Sequence, residues 1–221
     1  MARIGIVGAG HIGSNLAQLL VAAGHEVTVS FSTDARKLAG LAAKLGAAVA
    51  DPADAAAAAD VVVLSVPWSV VDVALQATGD LSGKLVIDTT NQFGQVAGTY
   101  GVLDLGGLSG AATNAAKAPN ALWVKAFNTL TAGFQASAAG RFGPDRVVMF
   151  YATDYDEVTG RVESLIESIG FDPVRNGTLA RNDVGHQEPK GALYGEEYHH
   201  GDAVAAVARL RGTVPAGTGR P

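Results

Sequence analysis

The sequence predicts an α/β fold built on a doubly wound, mainly parallel sheet with a small C-terminal extension. Short apolar runs typical of buried strands alternate along the chain with amphipathic helical patterns, which indicates βαβ units. A glycine-rich turn at residues 8–13 joins the first strand to the first helix. Together these observations predict a Rossmann-type sheet with the strand order 3-2-1-4-5-6, to which the later strands are appended.

Each element follows from local signals. Strands are predicted where short runs of apolar and β-branched residues occur, at 3–7, 25–30, 47–50, 61–65, 84–88, 122–126, 146–151 and 171–175. Helices are predicted between capping and stop signals, from the glycine turn to Gly24, from Thr33 or Asp34 to Gly46, from Pro52 onward, from Ser109 to about Ala118, and over 156–169 and 202–210. The glycine-rich stretch 92–107 is predicted to be a mobile loop that could act as a lid.

The chain divides into three parts on this basis. Residues 1–130 carry the nucleotide-binding core, residues 131–211 an α/β extension and cap, and residues 212–221 a disordered tail. The strand–helix–strand unit of the second part can either extend the sheet or form a small cap over the crevice.

The glycine turn predicts a dinucleotide site. Gly8, Gly10 and Gly13 fit G-x-G-x-x-G, directly after a strand and directly before a helix. Gly8 permits the tight turn, Gly10 lets the backbone approach a pyrophosphate, and Gly13 lets helix and strand pack closely. The alternative is a tight turn that binds no ligand, but the flanking strand and helix favour the nucleotide.

The segment after the second strand predicts which dinucleotide binds. Ser30 stands where NAD enzymes usually carry an acid for the ribose 2′-hydroxyl. Ser32, Arg36 and Lys37 can instead give charge-assisted hydrogen bonds to a 2′-phosphate, which favours NADP. Asp34 is either a displaced ribose acid or a helix cap, and we favour the cap.

Three strand ends carry polar and aromatic groups that should meet in one crevice. The fourth strand ends in Ser65-Val-Pro67, the fifth in Thr89-Thr-Asn91 and the sixth in Phe127-Asn-Thr129. Ligands of a doubly wound sheet bind at the carboxyl ends of the strands, where strand order reverses. Trp68 either walls one side of a bound ring or packs beneath a loop.

Composition excludes several classes of protein. The 221 residues contain no cysteine, which excludes disulfides, thiolate metal sites and a cysteine nucleophile. A net charge of −5 and the lack of a basic block argue against nucleic acid and anionic membranes. The first strand begins at residue 3, which leaves no room for a signal peptide, so we expect a cytoplasmic protein.

The combined motifs resemble the F420-dependent NADP reductases and their dinucleotide-binding relatives. The resemblance is carried by Ile6–Gly13, Val66-Pro-Trp68, Lys125–Thr129 and Gly177-Thr-Leu179, in that order, and extends to about residue 196. It implies that NADP(H) binds in the crevice and exchanges a hydride with an F420- or flavin-like ring stacked beside it. Enzymes of this kind are commonly dimers, so we expect a homodimer.

The resemblance also implies a set of site residues. They are the phosphate loop of Gly8, Gly10, His11, Ile12 and Gly13, the 2′-phosphate group of Ser30, Ser32, Arg36 and Lys37, and the crevice residues Ser65, Val66, Pro67, Ala126 and Asn128.

Two positions depart from the F420-using members. Those proteins resemble one another in having a histidine where this chain has Asn128, and an arginine near the position of Asp183. Arg181 is close enough in sequence to take the second role. Because F420 is anionic, we expect the loss of cations to weaken its binding.

Other functions remain to be weighed. A reductase of a small carbonyl or imine needs a proton donor near the nicotinamide, and Tyr194, His186 and Asp72 are candidates. A non-catalytic NADP sensor is the second alternative. The histidines and glutamates near the C-terminus do not predict a metal site, because adjacent histidines on a polar segment rarely bind one metal together.

Overall fold

The computed structural model describes residues 1–212. Its strands are β1 (Arg3–Val7), β2 (Glu26–Ser30), β3 (Ala48–Val49), β4 (Val61–Leu64), β5 (Leu85–Asp88), β6 (Phe93–Val96), β7 (Thr99–Val102), β8 (Leu122–Ala126), β9 (Val148–Thr153) and β10 (Asp172–Gly177). Its helices are α1 (His11–Ala22), α2 (Ala35–Leu45), α3 (Pro52–Ala58), α4 (Val71–Thr78), α5 (Gly110–Ala115), α6 (Ala132–Ala138), α7 (Thr159–Ser168), α8 (Arg181–Val184) and α9 (His200–Leu210).

Eight of the strands form one sheet in the order β10-β9-β8-β5-β4-β1-β2-β3. The order from β3 to β8 confirms the predicted 3-2-1-4-5-6, with β8 as the sixth strand. Neighbouring strands are parallel except that β9 runs antiparallel to β8. β10 pairs with β9 in parallel, so the strand–helix–strand unit of the second half extends the sheet.

The central strands are apolar along their whole length because helices cover both faces of the sheet. Alternate residues of β4 show this: Val61 and Val63 pack in one cluster with α1, α2, α6 and α7. Val62 and Leu64 pack on the opposite face with α3, α4 and α5. The strand ends are therefore the places where polar side chains of the sheet can reach a ligand.

The prediction of a mobile loop at 92–107 is wrong for most of that segment. β6 and β7 form an antiparallel hairpin, and the rings of Phe93 and Tyr100 stack with centroids 6.0 Å apart. Ala97 and Gly98 both have positive φ, which closes a two-residue hairpin turn. The turn was not evident in the sequence because alanine rarely adopts that conformation.

Three helices, α4, α6 and α8, have no counterpart in the prediction. α4 follows a 3₁₀ turn at Trp68–Val70 and begins without a capping side chain. α6 is short and consists of small residues apart from Phe134 and Gln135, so it lacks a recognisable apolar stripe. The tail predicted at 212–221 lies beyond the described residues except for Gly212, and the boundary at residue 130 stays a prediction. Within residues 1–212 no helix has the length and apolar character to span a bilayer.

An ion pair ties the start of β1 to the loop before β4, and it predicts a pH dependence of stability. The side chain of Arg3 donates to Asp60 at 2.6 Å, and this hydrogen bond lowers the pKa of Asp60 to about 2. A lowered carboxyl pKa stabilises the fold above the unfolded value of about 4 and loses that contribution as the pH falls towards the folded value. We expect Asp60→Asn to lower the melting temperature near neutral pH, with the difference closing between about pH 4 and 2.

Thermal melts of the native protein and the variant across this range measure the effect. Glu167→Gln, at an exposed position on α7, is the control and should show no such trend. A difference for Asp60→Asn that stayed constant with pH would contradict the assignment.

Candidate functional site

The glycine turn packs against the end of β4. Gly8 has φ +107°, and a methyl group on it would lie 2.2 Å from the carbonyl oxygen of Ser65. A methyl group on Gly13 would lie 2.0 Å from the Gly8 oxygen. A methyl group on Gly10 would have no atom of the surrounding protein within 4 Å. Gly8 and Gly13 are therefore required by packing, whereas Gly10 leaves open surface.

That open surface lies at the N-terminus of α1. Gly10 is the N-cap residue, and its helix end has no side-chain cap that accepts from the backbone N–H groups. His11 is exposed and Ile12 is half-buried. Unpaired N–H groups and the positive end of the helix dipole make such a terminus suitable for a phosphate.

The side chains after β2 separate into buried and exposed groups. Ser30 is fully buried, and its hydroxyl donates to the Ile6 oxygen at 3.1 Å. Ser32, Arg36 and Lys37 are exposed beyond it. The Asp34 carboxylate accepts from the backbone N–H groups of Arg36 and Lys37 at 3.0 and 3.1 Å, which confirms that it caps α2. Asp34 is thus committed to the helix.

The rim after β4 lies directly beside the glycine turn. Ser65 and Val66 are buried against Gly8, and Pro67 is exposed. Trp68 is half-buried, with the ammonium of Lys117 5.6 Å from its ring centroid. A cation–π contact of this kind is worth about 0.5–1 kcal/mol at exposed sites. Trp68 thus contacts Lys117, and its role as a wall for a bound ring stays a prediction.

A cavity of about 560 Å³ opens at the carboxyl ends of β5 and β8. Its apolar wall comprises Ile12, Phe127, Leu130, Ala132 and Phe134. Its polar lining comprises Thr89, Asn91, Asn128, Thr129, Thr131, Tyr194 and Glu197. Ala126 is fully buried within β8 and does not line the cavity. The residues after this strand that line it first are Phe127 and Asn128.

Four polar side chains form a connected amide chain along the cavity wall. Asn91 donates to the Asn128 carbonyl oxygen at 2.9 Å and accepts from the Asn128 side chain at 3.1 Å. Asn128 also donates to the Gln187 carbonyl at 2.7 Å, and its oxygen accepts from the Gln187 side chain at 3.1 Å. At the other end Asn91 donates to the Tyr194 hydroxyl at 3.3 Å. The network fixes which way each amide points.

A buried ion pair supports this wall from beneath. The Lys125 ammonium on β8 lies 3.1 Å from the Asp88 carboxylate on β5, and both side chains are at most 1% exposed. Lys125 also donates to the Thr90 carbonyl, and Asp88 accepts from the Thr90 N–H at 2.7 Å. Asn114 donates to the same carboxylate at 3.1 Å. The pair therefore fixes the backbone that leads into Asn91.

Of the three candidate proton donors, one lies in the cavity. Tyr194 lines it and is half-buried, and this burial raises the pKa of its hydroxyl. His186 lines a separate cavity of about 490 Å³. Asp72 is exposed on α4, with its carboxylate 2.6 Å from Lys117. Gly195 and Glu197 from the same segment also line the cavity.

The two residues that bear on anion binding have separate surroundings. Asp183 accepts from the N–H and hydroxyl of Thr178 at 2.8 and 2.7 Å, so it holds the start of α8. Arg181 lines a separate cavity of about 490 Å³ and donates to the Leu108 carbonyl at 3.1 Å. Neither residue lines the cavity of about 560 Å³, so the role of Arg181 in anion binding stays a prediction.

The remaining histidines of the C-terminal segment are separated from one another. His199 lies 3.1 Å from the Arg146 carbonyl oxygen, and His200 lies 2.8 Å from the Asp172 carboxylate. Each of these side chains has its own partner on the sheet side of the molecule.

Sequence reasoning did not find the contribution of α6 to the cavity. Phe134 and Ala132 lie on this helix, and the cap at its start is Thr131, whose hydroxyl accepts from the Phe134 N–H at 3.3 Å. The Thr-x-x-Phe spacing was a usable signal for a helix start, although the alanine-rich sequence after it gave none for the position of its apolar face.

Comparison with known proteins agrees with this geometry. Residues 3–92 match the family described as NADP oxidoreductase, coenzyme F420-dependent. No curated protein matches the chain. Among solved structures, a hypothetical protein from Sinorhizobium meliloti shares 30% identity, covers 90% of this chain and 96% of its own, and superposes with a TM-score of 0.80.

Two further structures share the fold at lower identity. A candidate F420-dependent NADP reductase from Arthrobacter sp. FB24 is 24% identical, over 81% of this chain and 86% of its own, with a TM-score of 0.71. A reductive aminase from Aspergillus terreus, solved with NADPH and ethyl-5-oxohexanoate, is 21% identical over 85% of this chain and 59% of its own, with a TM-score of 0.62.

The different surroundings of the glycines predict different consequences of one substitution. We expect Gly10→Ala to fold normally, because its methyl group enters open space and alanine at an N-cap costs only about 1 kcal/mol or less. The same methyl group should hinder the approach of a pyrophosphate and weaken NADPH binding by about tenfold or more, which corresponds to about 1.4 kcal/mol. Calorimetric titration with NADPH measures the loss.

Gly8→Ala is the matched comparison. Its methyl group would meet the Ser65 carbonyl and its backbone has positive φ, so this variant should lose stability in a thermal melt. If Gly10→Ala bound NADPH as tightly as the native protein, the turn would have only a packing role.

Proposed function

The chain belongs to the family of coenzyme F420-dependent NADP oxidoreductases, and we propose that it transfers a hydride between NADP(H) and a flat redox acceptor of the F420 or flavin type. The observation that carries the proposal is the position of the cavity of about 560 Å³. Ile12, on the helix that the glycine turn begins, lies in its wall. A nucleotide on the turn and an acceptor in the cavity would be neighbours, as hydride transfer requires.

The residues of the crevice suit NADP(H). The open surface at Gly10 and the uncapped first turn of α1 would receive the pyrophosphate. Ser32, Arg36 and Lys37 would receive the 2′-phosphate, since they are exposed beyond β2 and Asp34 is held by the helix. Ser30 would act indirectly, because its buried hydroxyl fixes the end of β2.

The reaction needs alignment of two rings more than acid or base groups. When bound, NADPH supplies the hydride. Phe127, Leu130 and Phe134 provide apolar surface that excludes water around the acceptor. Phe127 has φ +59° and is fully buried, so the strand end is held in a strained conformation that aims the following residues into the cavity.

The cavity also favours an enzyme over an NADP sensor. A sensor needs a surface that a partner can read, whereas a reductase needs a second pocket beside the nucleotide. The wall here combines aromatic surface with the oriented groups of Asn91 and Tyr194, which is the usual character of a small-molecule site.

The charged side chains after β2 predict a preference between nucleotides. Hydrogen bonds to a charged group contribute about 1.5–3 kcal/mol each when well formed, and exposure reduces that. We therefore expect NADPH to bind more tightly than NADH by about one to three orders of magnitude. The double variant Arg36→Ala with Lys37→Ala should lose most of this difference while NADH affinity stays nearly unchanged.

Calorimetric titration of both nucleotides against both proteins measures this preference. Lys44→Ala, an exposed lysine in the last turn of the same helix, is the control and should retain it. Equal affinity of the native protein for NADH and NADPH would show that Arg36 and Lys37 are surface residues.

Filling the cavity tests where the acceptor binds. Ala132 lies in the cavity wall, so Ala132→Trp should occupy the space and abolish acceptor-dependent NADPH oxidation while NADPH binding is retained. The measurement is the loss of NADPH absorbance without oxygen, with F420, riboflavin or menadione as acceptor.

Ser137 is exposed on another face of the same helix and does not line the cavity, so Ser137→Trp is the matched control and should keep native activity. If Ala132→Trp reduced acceptors at the native rate, the acceptor would have to bind elsewhere.

A further inference from the structure

Tyr194 lines the cavity, and its hydroxyl group donates no hydrogen bond to the described residues. Its oxygen accepts a hydrogen bond from the Asn91 amide at 3.3 Å. Among residues 1–212 no group accepts a hydrogen bond from it. The hydroxyl of a half-buried tyrosine normally finds a partner on the protein or in a ligand. The proton of Tyr194 is therefore available to a molecule bound in the cavity.

The amide chain keeps Tyr194 in the role of a donor. Asn91 cannot reverse its amide, because its oxygen accepts from Asn128 while its nitrogen donates to the Asn128 carbonyl. The face that Asn91 turns to Tyr194 is consequently its NH₂ group. Since that group can only donate, the Tyr194 proton must point elsewhere.

The charges around the cavity select against anionic ligands. Among the described residues that line it, Glu197 is the only one with a charged side chain. Its carboxylate is engaged by Arg141, which lies outside the lining, and by His199 at 3.6 Å. An anion would enter without a lining cation to pair with, which is costly in a partly apolar site. An uncharged ligand meets no such penalty.

We propose that the cavity also binds uncharged ketones or aldehydes and that Tyr194 donates the proton for their reduction. This activity rests on the NADP(H) half of the proposed function and adds a substrate class and a catalytic residue to it. A carbonyl oxygen placed against Tyr194 would accept the free O–H, and the half-buried ring of Phe134 would lie beside its carbon substituents.

The step balances with NADPH as the reductant. The carbonyl carbon gains the hydride, forming a C–H bond, while the π electron pair of the C=O bond moves to oxygen. That oxygen takes the Tyr194 proton as the tyrosine O–H bond breaks, and solvent at the cavity mouth returns a proton to the tyrosinate. One carbonyl compound, one NADPH and one proton thus give one alcohol and NADP⁺.

The reduction of a flavin differs from that of a ketone in its need for a proton donor. A reduced flavin can carry the charge from the hydride on its own ring nitrogens, so its reduction does not depend on a proton from the protein. Riboflavin, which has no phosphate, is therefore an internal control for hydride transfer and for access to the cavity.

The central experiment compares Tyr194→Phe with the native protein, with cyclohexanone and riboflavin as acceptors. We expect kcat for cyclohexanone to fall by about 10²–10⁴-fold, the usual contribution of a positioned general acid. KM for cyclohexanone should change only a few-fold. Riboflavin reduction should fall at most a few-fold, because Tyr194 also lines the cavity in which the flavin would bind. The calorimetric affinity for NADPH should stay near its native value.

Tyr198→Phe is the matched control. Tyr198 lies edge-on against Phe150 with ring centroids 5.4 Å apart and does not line the cavity. It should reduce both acceptors at the native rate. If Tyr198→Phe reduced cyclohexanone as slowly as Tyr194→Phe, the loss would come from general destabilisation of the protein. The assignment of Tyr194 as proton donor would then be overturned.

A binding measurement without nucleotide provides a second readout. With tyrosine rings labelled with ¹³C, cyclohexanone should shift one ring signal of the native protein, and that signal should be missing from Tyr194→Phe. The negatively charged 4-oxocyclohexanecarboxylate, which carries the same ketone, should shift it less and be reduced more slowly. Stronger binding of the carboxylate would overturn the inference about charge.

The remaining outcomes separate the two proposals. If the native protein oxidises NADPH with riboflavin but not with cyclohexanone, the proposed function holds and the carbonyl activity is excluded. If Tyr194→Phe reduced cyclohexanone at the native rate, Tyr194 could not be the proton donor. If the native protein fails to bind NADPH, both proposals are wrong.

Discussion

The close contact between the glycine turn and the end of β4 is the constraint on which the rest of the structure depends. A methyl group on Gly8 would lie 2.2 Å from the Ser65 oxygen, and one on Gly13 would lie 2.0 Å from the Gly8 oxygen. Only glycines allow the first helix to begin so near to the point where the strand order reverses. That position brings Ile12 into the wall of the cavity, so the nucleotide turn and the cavity become parts of one crevice.

On the other side of the crevice, buried polar groups fix the positions of the ends of β5 and β8. Removing the charges of Asp88 and Lys125 from water costs several kcal/mol per ion, and the hydrogen bonds from Thr90 and Asn114 to Asp88 offset part of this. Such a pair is weak support for stability, but it holds two strand ends at a fixed separation. Asn91 follows directly and is in turn fixed by Asn128. Buried groups of the sheet therefore fix the position of Asn91, which lines the cavity.

The sequence was sufficient for the sheet order, because a glycine turn with alternating strands and helices defines a doubly wound sheet. It was also sufficient for a helix cap that depends on neighbouring residues. The Asp34 cap, for example, joins residues two and three positions apart. The cavity depends on contacts between distant residues, such as Asn91 with Tyr194, which are 103 positions apart. Side-chain direction at strand ends was also hidden: strands buried on both faces lack the alternation that would have shown Ser30 and Ala126 to be internal.

Asn128 connects the fold to the chemistry of the acceptor. Its amide donates to Asn91 and to the Gln187 carbonyl while its oxygen accepts from the Gln187 side chain. A neutral imidazole has one donor and one acceptor, and an imidazolium has donors only, so a histidine at this position cannot make all three bonds. Asn128 is thus an uncharged side chain that orients Asn91 towards Tyr194. The role that we propose for Tyr194 as an oriented proton donor therefore depends on this single amide side chain.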